Sequence, residues 1–267
     1  MSLIEFDNVS KAFFTDGKRK QARLALREMS LSIEEGEFVS IVGPSGCGKT
    51  VSLSMMAGFL SPTLGEVRFK GRPITAPGPE RGVVFQQFSL MPWLNVEQNV
   101  AFAVKNAQRK LHKGTDRAHI AERVRYSLET VGLSHVAESY PNTLSGGMQQ
   151  RVAIARLLAM DSDVFLMDEP CSALVEQTRQ HLDKSLFELW KTSGKTIAFV
   201  THNISEAVLM SSRILLLSPS PARVCGEWTI PADIDRDLES PHLHSIVQEI
   251  RAQLAFNSRT IATGIEE

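Results

Sequence analysis

The feature that most constrains this chain is a glycine-rich segment that follows an apolar run and precedes a helical pattern. Residues 43–50 read GPSGCGKT and fit the pattern GxxxxGK[ST]. The apolar run before them, FVSIV at residues 38–42, is typical of a strand buried on both faces. Glycines let backbone N–H groups turn toward phosphate oxygens, and a helix N-terminus adds partial positive charge. The segment therefore predicts a phosphate-binding loop between a strand and a helix.

Two side chains of this loop have predicted chemical roles. Lys49 can reach the β- and γ-phosphates of a nucleotide, and the hydroxyl of Thr50 can ligate Mg²⁺. The side chain of Cys47 is expected to be incidental. The alternative is a glycine turn with a solvated lysine. The predicted nucleotide-binding residues here are Gly43, Pro44, Ser45, Gly46, Cys47, Gly48, Lys49, Thr50 and Val51.

Two acids at the end of another apolar run predict the second half of an ATPase site. Residues 164–167 read VFLM and are followed by Asp168 and Glu169, about 120 residues after the loop. Asp168 can hold Mg²⁺ through water, and Glu169 can act as a general base on the attacking water. Two acids alone are commonly a solvated strand end, but the upstream loop favours the ATPase interpretation.

The remaining pattern predicts an α/β protein with a helical insertion. Strands that alternate with helices favour a parallel sheet. Between residues 95 and 160 the strand runs disappear, and helices are predicted at 96–109, from near Thr115 and from Ser145. The further predicted strands lie at 83–85, 197–200 and 214–217, and the helix before Gly194 carries Leu182, Leu186, Leu189 and Trp190 on one face.

The two ends of the chain have different patterns. Residues 3–9 and 29–33 alternate, which predicts a small antiparallel sheet with a turn near Asp16-Gly17 and a basic tip at 18–20. After residue 226 the pattern weakens, apart from a helix predicted at 243–254. Residues 259–267 are expected to form a frayed tail.

Composition and charge exclude several classes of protein. The chain has 267 residues, with 29 basic and 30 acidic side chains, which disfavours a protein that coats nucleic acid by bulk charge. No apolar run approaches the ~18–20 residues that span a bilayer, and the N-terminus lacks a signal-peptide pattern. Three cysteines without a CxxC spacing disfavour a disulfide framework or a zinc ribbon. These features predict a cytosolic globular protein without a nucleic-acid partner.

Residues 144–151 read LSGGMQQR and resemble the LSGGQ signature of ATP-binding cassette (ABC) ATPases. Ser145 can cap a helix that starts here, which would make an anion site at the helix N-terminus. In the family this site faces the γ-phosphate held by the phosphate loop of a second subunit. The resemblance thus implies ATP as the nucleotide and two composite sites in a head-to-tail dimer, with a homodimer expected. The residues it assigns to the nucleotide are Ser145, Gly146, Gly147 and Gln149.

Other positions match the family by spacing and flanking residues. Phe13 resembles the aromatic residue that stacks on adenine, and Phe14 is a competing candidate. The alternative is that either phenylalanine is a core residue of the strand. Gln86 resembles the Q-loop glutamine that meets Mg²⁺ and the water, with Gln87 as its neighbour. His202 resembles the switch histidine that contacts the γ-phosphate. The implied catalytic residues are Glu169, His202 and Gln86, and the implied Mg²⁺ ligands are Thr50, Gln86 and Asp168.

The resemblance implies a P-loop NTPase (RecA-like) α/β core with an N-terminal antiparallel β subdomain and an inserted α-helical subdomain. Residues 1–230 would form the ABC nucleotide-binding domain, with the helical subdomain at about 92–158. Residues 231–267 would form a C-terminal helical extension and tail.

Two further stretches look most like the nitrate/sulfonate/taurine importer branch: FSLMPWLNVEQNV at 88–100 and SPSPARV at 218–224. This implies an ATPase subunit on the cytoplasmic face of the inner membrane. It would act on a separate membrane permease, with a solute-binding protein outside. The region around Trp93 would help form the groove that receives a coupling helix of the permease. The alternative is that Trp93 packs inside the helical subdomain.

Three positions depart from the family pattern. Val175 replaces the aspartate of SALD, Val51 replaces a hydroxyl residue, and Asn203 replaces the aspartate after the switch histidine. Loss of one positioned polar contact costs a few kcal/mol of transition-state stabilisation, or tens- to hundreds-fold in rate. We therefore expect slow but real hydrolysis. The alternatives are a regulatory subunit that never turns over, one weakened site in a heterodimer, and a soluble ABC ATPase acting on DNA or ribosomes.

Overall fold

A computed structural model describes residues 2–14, 22–110, 116–172, 174–231, 233–238 and 240–262, with side chains as far as residue 257. The predicted turn at Asp16-Gly17, the basic tip at 18–20 and residues 263–267 lie outside these ranges. Among the described residues, no helix combines the length and the apolar character needed to cross a membrane.

The described elements alternate between strands and helices over most of the chain. The strands are β1 (Ser2–Phe14), β2 (Ala22–Glu34), β3 (Phe38–Val42), β4 (Leu64–Phe69), β5 (Arg72–Pro73), β6 (Arg81–Val84), β7 (Val164–Asp168), β8 (Thr196–Val200), β9 (Arg213–Leu217) and β10 (Val224–Thr229). The α-helices are α1 (Lys49–Ala57), α2 (Val96–Lys110), α3 (Arg117–Thr130), α4 (Gly146–Met160), α5 (Glu176–Ser193), α6 (Ile204–Met210) and α7 (Pro241–Ala262).

The chain divides into two compact units. One consists of residues 1–77 and 194–267, and the other of residues 78–193. The boundary proposed from the sequence at residue 230 stays a prediction.

The first unit contains an antiparallel sheet in the order β2-β1-β4-β5. Phe6 pairs with Leu31 on β2 and with Val67 on β4. All three side chains are buried, so the alternating residues of these strands place one apolar face in the core. The predicted antiparallel sheet is confirmed. Its first two strands are longer than the alternating segments, and β4 and β5 were missed.

The first unit also contains strands in the order β10-β9-β3-β8. The central strand β3 pairs in parallel with β8, where Ile41 lies opposite Val200, and with β9, where Val42 lies opposite Leu216. Every residue of β3 and β8 is buried, as expected for parallel strands covered on both faces. The edge strand β10 runs antiparallel to β9 and was missed by the sequence pattern.

The C-terminal helix is longer than the sequence predicted. The apolar face of α7 includes Leu243, Val247 and Ile250, and it packs with residues of α6 and β9 such as Val208 and Ile214. The helix continues through residues 259–262, so the expectation that fraying begins at residue 259 is wrong for those residues. Packing of its first turns on α6 and β9 anchors a helix that extends beyond them.

The second unit combines a parallel strand pair with the predicted helices. Val84 of β6 lies opposite Met167 of β7. Helix α2 begins at Val96 as predicted, and α3 begins after Asp116, whose carboxylate accepts a hydrogen bond from the Ala118 amide as an N-cap. Thr115, where the sequence placed the start of α3, lies outside the described residues. The helical insertion in an α/β core is confirmed.

Candidate nucleotide-binding site

The glycine-rich loop lies between β3 and α1, as its sequence predicted. Helix α1 begins at Lys49, and its N-cap residue Gly48 supplies no side-chain hydrogen bond to the first turn. A helix start without a side-chain cap leaves first-turn N–H groups available to an anion. Ser45 and Gly46 are exposed at the tip of the loop. The loop therefore has the backbone arrangement that a phosphate group requires.

The cation of Lys49 lies within this loop and is not solvated, which rules out the solvated-lysine alternative. The residue is only 6% exposed, and its Nζ donates hydrogen bonds to the carbonyl oxygens of Gly43 at 2.8 Å and Pro44 at 3.0 Å. These two bonds hold the ammonium group close to the loop backbone. Thr50 follows on α1 with an exposed side chain.

Cys47 has a packing role that the sequence did not suggest. Its side chain is buried, and its Sγ lies 3.0 Å from the point that a Cβ on Gly43 would occupy. Burial raises the pKa of the Cys47 thiol above its ordinary value, against the opposing influence of the Lys49 charge. The residue is a neutral thiol that fills space beneath the loop.

His202 emerges at the same edge of the first unit's sheet as the phosphate loop. It is the second residue after β8, and β8 is the parallel neighbour of β3. The flanking residues fix this turn, because the Thr201 hydroxyl donates to the Glu206 carboxylate and accepts from the Asn203 amide. Asn203 caps α6 by accepting a hydrogen bond from the Glu206 amide at 3.3 Å. The substitution of aspartate by asparagine therefore preserves a helix cap.

Three further predicted residues lie at one edge of the second unit's strand pair. Gln86 follows β6, while Asp168 ends β7 and Glu169 follows it. Because β6 and β7 are parallel neighbours, both chain segments leave the sheet at its carboxyl edge. Asp168 is buried, Glu169 is half-buried and Gln86 is exposed. This edge offers an amide and two carboxylates.

The signature segment forms the start of α4. Ser145 is the N-cap, and its hydroxyl accepts a hydrogen bond from the Met148 amide at 3.3 Å, as predicted. The Gln149 side chain donates to the carbonyl oxygens of Pro141 and Leu144 at 3.0 and 3.2 Å, so it holds the preceding turn. Ser145 and Gly146 remain exposed.

A contact that sequence reasoning missed connects the Q-loop to the signature. The ring of Phe88, two residues after Gln86, lies 3.8 Å from the point that a Cβ on Gly146 would occupy. A side chain at position 146 would therefore touch this ring.

Two candidate aromatic residues end strand β1. Phe13 is 40% exposed and Phe14 is 69% exposed, so neither is a core residue. Consecutive strand residues point to opposite faces. The Nζ of Lys11 lies 5.3 Å from the centre of the Phe13 ring, which makes that ring a cation-π partner.

Trp93 lies in an exposed loop at the start of the helical insertion. Its side chain is 72% exposed, so the interpretation that it packs within the helical subdomain is wrong. The loop itself is fixed by Asn99, which is fully buried. The Asn99 side chain accepts a hydrogen bond from the Met91 amide and donates to the carbonyl oxygens of Met91, Leu94 and Asn95. Trp93 is therefore exposed on a loop whose backbone is held in place by hydrogen bonds.

Comparison with known proteins gives relatives over most of the chain. The ABC transporter family model matches residues 26–172. The chain is 43% identical to the taurine import ATP-binding protein TauB of Roseobacter denitrificans over 248 residues, which cover 91% of this chain and 89% of the relative. It is 40% identical to the nitrate import ATP-binding protein NrtD of Synechococcus elongatus over 238 residues, which cover 89% and 84% of the two chains.

A solved structure agrees with the fold. The ATP-binding cassette MJ0796, in a dimeric post-hydrolysis state bound to ADP and Pi, is 33% identical with a TM-score of 0.75 and covers 85% of this chain and 99% of its own. The predicted P-loop NTPase fold and its β and helical subdomains are confirmed by this likeness. The phosphate loop, the acidic strand end and the signature therefore have one explanation: the chain belongs to the ABC transporter family and is an ATP-hydrolysing cassette.

Proposed function

We propose that this chain is the ATPase subunit of an importer of the taurine, sulfonate and nitrate type, which acts through a separate membrane permease. The observation that carries the proposal is the buried Lys49 ammonium, held within a loop at the uncapped N-terminus of α1. A fixed cation and free helical N–H groups in one loop suit a triphosphate. The names of the relatives TauB and NrtD support the type of importer.

In the first unit, the loop and His202 would act on the phosphates. Loop amides and Lys49 would neutralise the β- and γ-phosphates, and His202, at the same sheet edge, would contact the γ-phosphate. The exposed ring of Phe13 would stack on adenine, and the exposed ring of Phe14, on the opposite face of the strand, is the competing candidate.

In the second unit, Glu169 would take the proton from the attacking water, and Gln86 would orient that water. Both groups follow neighbouring parallel strands, which supports a shared role. For Mg²⁺, Gln86 and Asp168 would offer an amide and a carboxylate oxygen in this unit, and Thr50 would offer a hydroxyl oxygen in the first unit; such oxygens are the donors it prefers. When bound, it supplies charge neutralisation for the transferred phosphoryl group.

The exposed signature would complete the site of a second copy. Ser145 and Gly146 stand at the N-terminus of α4, where a helix favours an anion, and both are exposed. The tip of the phosphate loop at Ser45 and Gly46 is also exposed. The dimers of MJ0796 support a homodimer. In it, each nucleotide would meet the loop of one copy and Ser145 of the other.

The ordered loop around Trp93 would receive the permease. An exposed tryptophan held in a fixed loop loses little conformational entropy on binding and buries a large apolar area. Docking here would place the chain on the cytoplasmic face of the membrane as a peripheral subunit. A solute-binding protein outside would take part indirectly.

The test is phosphate release by the purified chain and by its complex recovered from membranes. Glu169→Gln is expected to abolish release while ATP still binds and drives dimer formation, measured by sedimentation. Lys49→Ala is expected to lose ATP binding itself. A wild-type chain that binds ATP and never releases phosphate, alone or with the permease, would favour the regulatory alternative.

Permease docking is tested by Trp93→Ala. We expect it to keep phosphate release by the isolated chain and to lose recovery with the membrane fraction. Tyr126→Ala, which removes another exposed aromatic ring from the helical subdomain, is the matched control and is expected to keep both. Equal recovery of the two variants would contradict the docking site.

A further inference from the structure

The motif SPSPARV has no role in the chemistry above, yet it lies beside the phosphate loop. Residues 218–223 connect β9 to β10, and the Ser218 amide donates to the Arg223 carbonyl oxygen at 2.9 Å. The Arg223 amide donates in turn to the Ser218 hydroxyl at 3.0 Å. We call residues 217–222 the backing segment. These hydrogen bonds close it into a defined turn.

The backing segment is fastened to β2. The Ala222 amide donates to the Ala25 carbonyl oxygen at 2.9 Å, and the Arg27 amide donates to the Ala222 carbonyl oxygen at 3.0 Å. The Ser220 hydroxyl donates to the Leu24 carbonyl oxygen at 3.3 Å. Ala222 is fully buried. This segment therefore has little freedom to move away from what it touches.

Both ends of the phosphate loop contact this segment. A Cβ on Gly43 would lie 3.0 Å from the Leu217 carbonyl oxygen and 3.3 Å from the Leu217 Cβ. A Cβ on Gly48 would lie 3.4 Å from the Ala222 Cβ and 2.8 Å from the Leu26 Cδ2. Gly48, at a φ of 125°, is the N-cap of α1, so its position sets that of the first-turn N–H groups.

We propose that Ala222 is a positioning residue for ATP binding, because its small side chain lets the backing segment hold Gly48 and the phosphate loop in their binding shape. The proposal rests on the function proposed above, since it takes ATP to be bound by this loop. Carbons added at this fully buried position would enter the space beside Gly48 and Leu26 and press on one or both of them. A shift of the loop by part of an ångström weakens several phosphate contacts together.

The experiment compares Ala222→Val with Ala57→Val in the wild-type background. Ala57 is also buried, and it lies eight residues after Lys49 on α1, about 12 Å along the helix axis. Both variants add the same two carbons to a packed site. Phosphate release against ATP concentration gives KM and kcat, binding of a fluorescent ATP analogue gives Kd, and thermal unfolding gives Tm.

For Ala222→Val we expect KM and Kd for ATP to rise about ten- to a hundredfold, with a smaller fall in kcat. For Ala57→Val we expect KM to stay within about twofold, even where Tm falls. A merely structural role of Ala222 would reduce the folded fraction and kcat, with no change in KM. Ala222→Ser adds a single heavy atom and is expected to give an intermediate KM, so the comparison holds if the valine variant does not fold.

Equal KM values for Ala222→Ser, Ala222→Val and Ala57→Val would overturn the positioning role while leaving the ATPase function intact. Failure of the wild-type chain to bind ATP would instead overturn both. The measurement of ATP binding by the wild-type chain therefore distinguishes failure of the positioning role from failure of the proposed function.

Discussion

The loop that carries Trp93 depends on one buried amide, and this dependence can be measured. We consider Asn99→Leu, which keeps the branched shape and the number of side-chain heavy atoms. It removes the hydrogen bond that Oδ1 accepts and those that the two Nδ2 protons share among three carbonyl oxygens. Each bond contributes about 0.5–1.5 kcal/mol net. The carbonyl oxygen of Asn95 retains its helical bond from the Asn99 amide, and the residues of the loop are exposed or partly exposed, so water replaces part of the loss. We therefore expect the free energy of local opening to fall by about 2–4 kcal/mol.

Amide hydrogen exchange of residues 91–95 is the assay. Since about 1.4 kcal/mol corresponds to tenfold, protection of the Met91 and Leu94 amides is expected to fall by about 30- to 1,000-fold. Gln98→Leu is the matched control. It removes one exposed bond from the Asn95 amide and is expected to lower protection by less than about fivefold. Protection in Asn99→Leu within about threefold of wild type would refute the assignment of loop order to this amide.

Three other predictions follow from single side chains. Val175 is 74% exposed and lies where the family has an aspartate. Val175→Asp is therefore expected to raise turnover of the assembled complex by about ten- to a hundredfold. A turnover equal to that of Val175→Ala would contradict a role for a polar side chain at this position. Asn203→Ala removes the cap of α6 and is expected to lower the free energy of unfolding in denaturant by about 1 kcal/mol, whereas Asn203→Asp keeps the cap. Equal losses of unfolding free energy in the two variants would argue against the capping role. Gln150 is fully buried, and neither polar atom of its side chain has a hydrogen-bond partner among the described residues. Gln150→Met is therefore expected to raise the free energy of unfolding in urea by about 1–3 kcal/mol. A decrease would show that the amide is satisfied by water.

The substitutions in this chain differ in their physical consequence. Asn203 still caps a helix, because an amide oxygen accepts the same hydrogen bond as a carboxylate. Val175 has no such equivalence, because an apolar side chain cannot replace a hydrogen-bonding one. The rate of hydrolysis is therefore expected to depend on Val175 far more than on Asn203.

The local sequence determined the features that arise within one element or its ends. The apolar runs of β3 and β8 predicted strands covered on both faces, and Ser145 predicted a helix cap, because burial pattern and capping depend on neighbours in the chain. The phosphate loop was predictable for the same reason. Its glycines and Lys49 act through backbone geometry that a short segment specifies.

The tertiary structure decided what depends on residues far apart in the chain. Only the fold shows that Trp93 is exposed, that Asn99 holds its loop, and that Ala222 lies against Gly48, more than 170 residues earlier. The strand β10 and the packed first turns of α7 likewise depend on contacts with β9 and α6. Such contacts leave no periodic pattern in the sequence, because each is made by side chains and backbone groups that meet only when the chain has folded.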